Sequence, residues 1–295
     1  MTSPPARRVR TLDSSSSGLG ALARNALRRK HGVSALTPVE YRRTTKSVDP
    51  ATLAAYQRLC GFAISSTMPS TFVHVQAFPL ATALMGASDF PLPLLGLVHV
   101  RNRIAQLRPI DASEQLELRV WAEAISDHPA GQQVDIEAEA LVAGAAVWRG
   151  TSTYLHRTRK PAARGERPEA PTPPPPVAFW RLPADLGRRY AAVSGDRNPI
   201  HLSKITAKAF GFPSAIAHGM WLNARVLGAM EPRLPDAYTV DVAFKMPTFL
   251  PSAVAFDAER TDDGWHLGIR NARSGKPHLA GTVTTQWPPT AHATA

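Results

Sequence analysis

The sequence predicts an α+β chain made of two tandem copies of one layered unit, each a long helix covered by an antiparallel sheet. Three observations carry this. First, short motifs recur in the same order in both halves: "YQRLCG" (56–61) with "YAAVSG" (190–195), "PSTFVHV" (69–75) with "PSAIAHG" (213–219), and "VHVRNRIAQLRP" (98–109) with "VDVAFKMPTFLP" (240–251). An ordered series of weak matches signals duplication. Second, "RTRKPAARGERPEAPTPPPPV" (157–177) holds too much proline and charge for a packed helix or a central strand, and its run of prolines favours an extended spacer. Third, the second half runs from a helical pattern, "GMWLNARVLGAM", into three alternating, β-branched segments, "TVDVAFKM", "AVAFDAER" and "LAGTVTTQW". That order reads as a helix followed by a meander.

Length and composition agree with two globular units. The chain has 295 residues, 44% of them hydrophobic and 19% charged, an ordinary globular profile with room for a core in each half. The net charge of +11 is unevenly spread: residues 1–47 hold ten Lys or Arg against Asp13 and Glu40, a net of +8, which leaves +3 for the other 248 residues. A basic tail on a near-neutral body, without interleaved aromatics, argues against a nucleic-acid partner. The single cysteine, Cys60, has no intramolecular partner and reads as a small buried hydrophobe, so a reducing cytoplasm is expected. Ser14–Ser17 and Arg24 interrupt any apolar leader, and the longest apolar run, "ALVAGAAVW", falls far short of the ~20 residues of a membrane span.

In chain order, residues 1–39 are expected to form a basic mobile arm, Ser-rich at "SSSSG", with a short amphipathic helix in "GLGALARNALRRK" suited to an acidic carrier or a membrane surface. Residues 40–156 form the first unit, whose long helix is "VQAFPLATALM", starting or kinking near Pro79. Residues 157–177 are the linker and 178–295 the second unit, which opens on a helical turn, "ADLGRRYAAVS", followed by a loop through "GDRNPIH".

That loop concentrates chemistry. Pro199 disfavours a helical Asn198 and turns the chain, so Asp196 and His201 can converge on one volume. A carboxylate beside an imidazole is a proton-moving pair. Gly195 permits a backbone angle that a side chain would block, and Asn198 can hold the carboxylate or a water. Each of these residue types also suits an ordinary surface turn.

The stretch "YAAVSGDRNPIH" followed by "AKAFGFPSAIAHGM" closely resembles the MaoC-like (R)-specific enoyl-thioester hydratases and 3-hydroxyacyl-thioester dehydratases. The resemblance implies tandem hotdog domains, a pseudo-dimeric double hotdog in which the first has lost the catalytic segment, with Phe62 standing for Asp196 and Val75 for Gly219. It implies Asp196 and His201 as the catalytic pair, Asn198 as an assisting group and the Gly219 N–H as an oxyanion contact at the start of the long helix. It also implies that Ser194, Gly195 and His218 line the substrate. His74, matched to His218 in the half without the motif, argues that this histidine is structural. The implied reaction is the reversible hydration of trans-2-enoyl thioesters, carried on coenzyme A or acyl carrier protein, with no cofactor or metal. A homodimer is compatible with this reading. The alternatives, a hotdog thioesterase or a non-catalytic acyl-thioester-binding protein, do not use the intact motif.

Overall fold

The structure is a computed structural model that describes residues 7–12, 35–94, 96–158 and 173–285. Eleven strands form one sheet among the described residues: β1 (Arg8–Thr11), β2 (Val39–Thr44), β3 (Leu97–Gln106), β4 (Glu117–His128), β5 (Gly131–Val142), β6 (Ala145–Arg157), β7 (Ala178–Leu182), β8 (Tyr238–Phe244), β9 (Ser252–Thr261), β10 (Gly264–Asn271) and β11 (Pro277–Thr284). Their spatial order is β1-β2-β4-β5-β6-β3-β8-β11-β10-β9-β7. Apart from β1, this order is symmetric about the β3–β8 seam, with β2-β4-β5-β6-β3 mirrored by β7-β9-β10-β11-β8. The seam is antiparallel, from Arg101 opposite Ala243 to Gln106 opposite Tyr238, and Arg101 donates two hydrogen bonds to Asp241 across it.

The helices are α1 (Pro50–Cys60), α2 (Ser70–Gly86), α3 (Leu186–Ser194), α4 (Pro199–Leu202), α5 (Lys204–Ala209) and α6 (Gly219–Met230). The two long ones, α2 and α6, are buried on nearly every side because the sheet curls around them and the other half covers the rest. This is the double-hotdog arrangement. Close contact between halves is secured where α6 crosses the end of α1. A Cβ on Gly228 would lie 2.8 Å from the carbonyl oxygens of Cys60 and Gly61, the Trp221 indole N–H donates to the Leu59 carbonyl at 3.2 Å, and the Arg225 guanidinium donates to the Cys60 carbonyl at 3.4 Å. Cys60 is fully buried there, and desolvation lifts its thiol to about 12, so it behaves as the inert hydrophobe expected.

Three expectations need correction. The arm expected over residues 1–39 is partly docked: β1 pairs parallel to β2, Arg10 forms a 2.8 Å ion pair with Asp89, and the Arg7 guanidinium lies 4.5 Å over the Trp121 ring. A basic strand thereby covers the otherwise open β2 edge, a position that leaves main-chain groups unpaired. The Ser-rich run and "GLGALARNALRRK" lie outside the described residues, as does most of the 157–177 linker. Pro79 neither starts nor ends α2 but sits inside it, nine residues past Ser70.

The third correction concerns register. Met68 N–H bonds to Ile110 and Ala112 N–H to Ser66, around the bridge of Thr67 with Asp111. The second half repeats this with Ala217 to Thr248 and Leu250 to Ala215, around Ile216 and Phe249. Thr67 therefore corresponds to Ile216, and Ser70, which opens α2, to Gly219, which opens α6. The Pro-Ser-His match is five residues out of register: Val75 is not the counterpart of Gly219, and His74 falls opposite Asn223 rather than His218. The first match holds, since Gly61 (φ 82°) and Gly195 (φ 74°) each close a helix in the left-handed conformation, which leaves Phe62 where the second half has Asp196.

Candidate active site

The motif is organised by local capping. After Gly195 ends α3, the Asp196 N–H donates to Ser194 Oγ at 3.2 Å, and the Asp196 carboxylate accepts from the Asn198 N–H at 3.1 Å. Asn198 then caps α4: its Oδ1 accepts from the Ile200 N–H, and Pro199 occupies the first helical position, where no N–H is needed. Asn198 thus holds the carboxylate through its backbone, while its side-chain oxygen serves the helix. Ser194, buried at 6% exposure, likewise faces the Asp196 backbone.

The short α4 aims His201 inward. His201 Nδ1 lies 2.8 Å from the Ile216 carbonyl oxygen. A carbonyl only accepts, so Nδ1 carries the proton and Nε2 is left with its lone pair. His218 Nε2 is 3.0 Å from the Asp196 backbone carbonyl and 3.8 Å from its carboxylate, and the His201 and His218 rings stack with centroids 3.7 Å apart. Donor atoms of Asp196, His201 and His218 all lie within 4.8 Å of one another. Such a cluster can ligate a cation, but both His218 Nε2 and His201 Nδ1 face backbone carbonyls. What remains without a backbone carbonyl partner is the Asp196 carboxylate, His201 Nε2 and the buried His218 Nδ1, and the first two make a pairing suited to moving protons.

Electrostatics fix the resting protonation. Burial opposes ionisation of Asp196, yet the His218 and His201 rings and the Asn198 N–H together hold its carboxyl below the usual range. Burial lowers His201 too, against the pull of Asp196, and drives His218 down to about 3. At neutral pH the site holds a carboxylate and two neutral imidazoles. Gly219 completes it: α6 begins there with no side-chain cap, and while the Trp221 and Leu222 N–H groups donate to the His218 carbonyl, the Gly219 and Met220 N–H groups have no partner within the helix. A Cβ on Gly219 would lie 3.0 Å from the Phe244 ring, so a side chain there would require that ring to give by a few tenths of an ångström.

Three contributors escaped the sequence reading. The Ile216 carbonyl that sets the His201 tautomer has no side-chain signature. Phe244 reads as any strand aromatic. Gly187 gave one signal, a glycine inside a helical pattern, which marks close packing: its Cβ would lie 1.9 Å from the His201 carbonyl oxygen.

A family model described as "MaoC like domain" matches residues 161–282. The 3-hydroxyacyl-thioester dehydratase X of Mycobacterium tuberculosis is 39% identical over 239 residues, covering 80% of this chain and 85% of that protein. The chain belongs to the MaoC-like family. A crystal structure of HtdX from Mycobacterium tuberculosis aligns with a TM-score of 0.72 at 39% identity, covering 82% of this chain and 98% of that one. The (R)-specific enoyl-CoA hydratase of Aeromonas caviae is 33% identical over 76 residues, which is 24% of this chain and 57% of that protein. No helix among the described residues is long and apolar enough to cross a membrane.

The buried rings make acid sensitivity a property of this family member's fold. Desolvation lowers His74 to about 4, and His99 and His218 to about 3, whereas in the unfolded chain each titrates near an ordinary imidazole value of about 6.5. Below about pH 6.5 the unfolded state binds protons that the folded state refuses, so stability present above that pH is lost on acidification, at about 1.4 kcal/mol per pH unit for each such ring. The urea midpoint is expected to fall clearly between about pH 7.5 and about pH 5, and His74→Gln to flatten that slope. Equal midpoints at the two pH values would contradict the neutral, buried state of these rings.

Proposed function

We propose that the chain catalyses reversible syn addition of water to trans-2-enoyl thioesters, giving (R)-3-hydroxyacyl thioesters, with the second half carrying the chemistry and the first serving as its non-catalytic partner. The observation that carries this is the convergence of the Asp196 carboxylate and the His201 ring on one volume beside the open start of α6. The names of the relatives, a 3-hydroxyacyl-thioester dehydratase and an (R)-specific enoyl-CoA hydratase, supply the reaction class.

In hydration, the thioester oxygen lies at the Gly219 N–H, which polarises the carbonyl and makes C3 electrophilic. Asp196 and His201 Nε2 hold a water between them. As its oxygen bonds to C3, its proton passes to the pair, and the C2–C3 π electrons move onto the thioester oxygen as an enolate. The pair then returns a proton to C2, restoring the carbonyl. Because both groups come from one turn, proton removal and delivery use the same face, which makes the addition syn. The two groups share the proton and titrate as a unit. His218 and Ser194 act as positioning residues that hold the Asp196 backbone.

The test is loss of enoyl ultraviolet absorbance on mixing the purified full chain with crotonyl-CoA, with chiral analysis of the product. The (R)-3-hydroxy thioester is expected. Free coenzyme A without hydration would instead favour thioester cleavage, and no reaction with any acyl thioester carrier would refute the assignment.

A further inference from the structure

A polar cavity of about 440 Å³ lies in the first half, and none of its walls comes from the Asp196 turn. Among the described residues it is lined by Arg43 and Thr44 of β2, Lys46 and Ser47 of the segment after it, Thr52 of α1 and Gln76 of α2. Arg43 gives the cavity its character. Its Nη2 donates to the Gln76 carbonyl, three residues before the interior Pro79, which fixes the guanidinium against α2. Its Nε is buried without a hydrogen-bond partner among the described residues. The neighbouring Arg42 has Glu40 and Glu117 as ion-pair partners, whereas Arg43 has no such partner among the described residues.

This half-buried charge lacks a counter-charge. Burial alone pushes the Arg43 guanidinium down from its ordinary value, yet a guanidinium stays protonated at any pH the protein meets, so the cost of burial is not relieved by losing a proton. The carboxylate that lines the cavity, Asp49, is turned to α1, where it accepts from the Ala51 and Thr52 N–H groups and from the Thr52 hydroxyl. Lys46, exposed at the rim, adds a second positive charge, and Thr44 and Ser47 add exposed hydroxyl donors. A carboxylate ligand would satisfy the guanidinium fork alone. A phosphate monoester carries nearly two negative charges near neutral pH and three acceptor oxygens, enough for the fork, the ammonium and a hydroxyl together.

We propose that Arg43 and Lys46 form a binding site for a phosphate monoester, built into the first half and separate from the candidate active site. The test is the thermal midpoint of the full chain in inorganic phosphate against sodium chloride of equal ionic strength, with Kd taken from the dependence on phosphate concentration. Phosphate is expected to raise the wild-type midpoint above the chloride control. Arg43→Gln keeps a donor for the Gln76 carbonyl but loses the charge, and is expected to weaken binding about tenfold or more, the scale of a charge-assisted pair. Lys46→Gln, at an exposed position, leaves the contact with α2 intact and is expected to weaken binding in the same direction. No phosphate-specific rise in the wild type, or a wild-type Kd in both folded variants, would overturn the site. Midpoints in coenzyme A and in 3′-dephospho-coenzyme A identify the source of the phosphate. If the monoester of the coenzyme is seated here, its advantage over the dephospho form is expected to vanish in Arg43→Gln. An advantage that is absent, or that survives the substitution, assigns the site to a free phosphate compound.

Discussion

Asp196→Asn and His201→Gln are each expected to lower enoyl-thioester turnover by about two orders of magnitude or more in protein that remains folded. Asn keeps the size of Asp196 and can still accept from the Asn198 N–H, but it cannot bind a proton. Gln can still donate to the Ile216 carbonyl in place of Nδ1–H, but it has no basic nitrogen to replace Nε2. Because the two groups act on one proton, the double variant is expected to be little slower than either single one. Single-turnover rates, with circular dichroism to verify folding, check this. Wild-type rates in either folded variant would remove the turn from the active site.

Gly187→Ala is expected to be nearly as damaging, although it lies outside the motif and replaces glycine by the best helix former. Within α3 the exchange alone would favour the helix by about 1 kcal/mol. The added methyl, however, would sit 1.9 Å from the His201 carbonyl oxygen, and the neighbour it meets is backbone that cannot rotate aside. Either α3 or α4 must shift. Overpacking of this kind costs about 1–3 kcal/mol, and a displacement of about 1 Å at a reacting group can cost about a hundredfold in rate. The expected result is a lower urea midpoint together with a fall in kcat of about that size. An unchanged or raised midpoint with wild-type kcat would mean that α3 and α4 tolerate separation.

How far the sequence could be read depended on whether the cause was local. Gly195 in its left-handed turn, the turn at Asn198-Pro199 and the alternation in β8, β9 and β11 act within a few residues, and the structure contains them near where the sequence predicts them, whereas β10 and the short helix α4 went unread. The Pro-Ser-His match misled because identical letters came from different places: in the first half they open α2, and in the second they form the extended entry to α6. Register there is set by hydrogen bonds to residues more than 30 positions away, such as Ala217 to Thr248, and no short motif reports these. Of the two readings of Pro79, a helix start failed for a related reason. Tertiary burial of α2 tolerates an interior proline that an isolated helix would not. The docking of β1 at the β2 edge was invisible because its partner lies beyond a segment with no strand pattern.

The symmetric β3–β8 seam has a consequence for inheritance. In an assembly of two identical subunits, every substitution is made twice, once on each side of the axis, so a change that suits one side is also imposed on the other. Here the two sides are encoded separately along one chain. Phe62 and Ser70 can vary while Asp196 and Gly219 stay fixed, without rewriting their counterparts across the seam. Selection on one side of the seam and selection on the other fall on different codons.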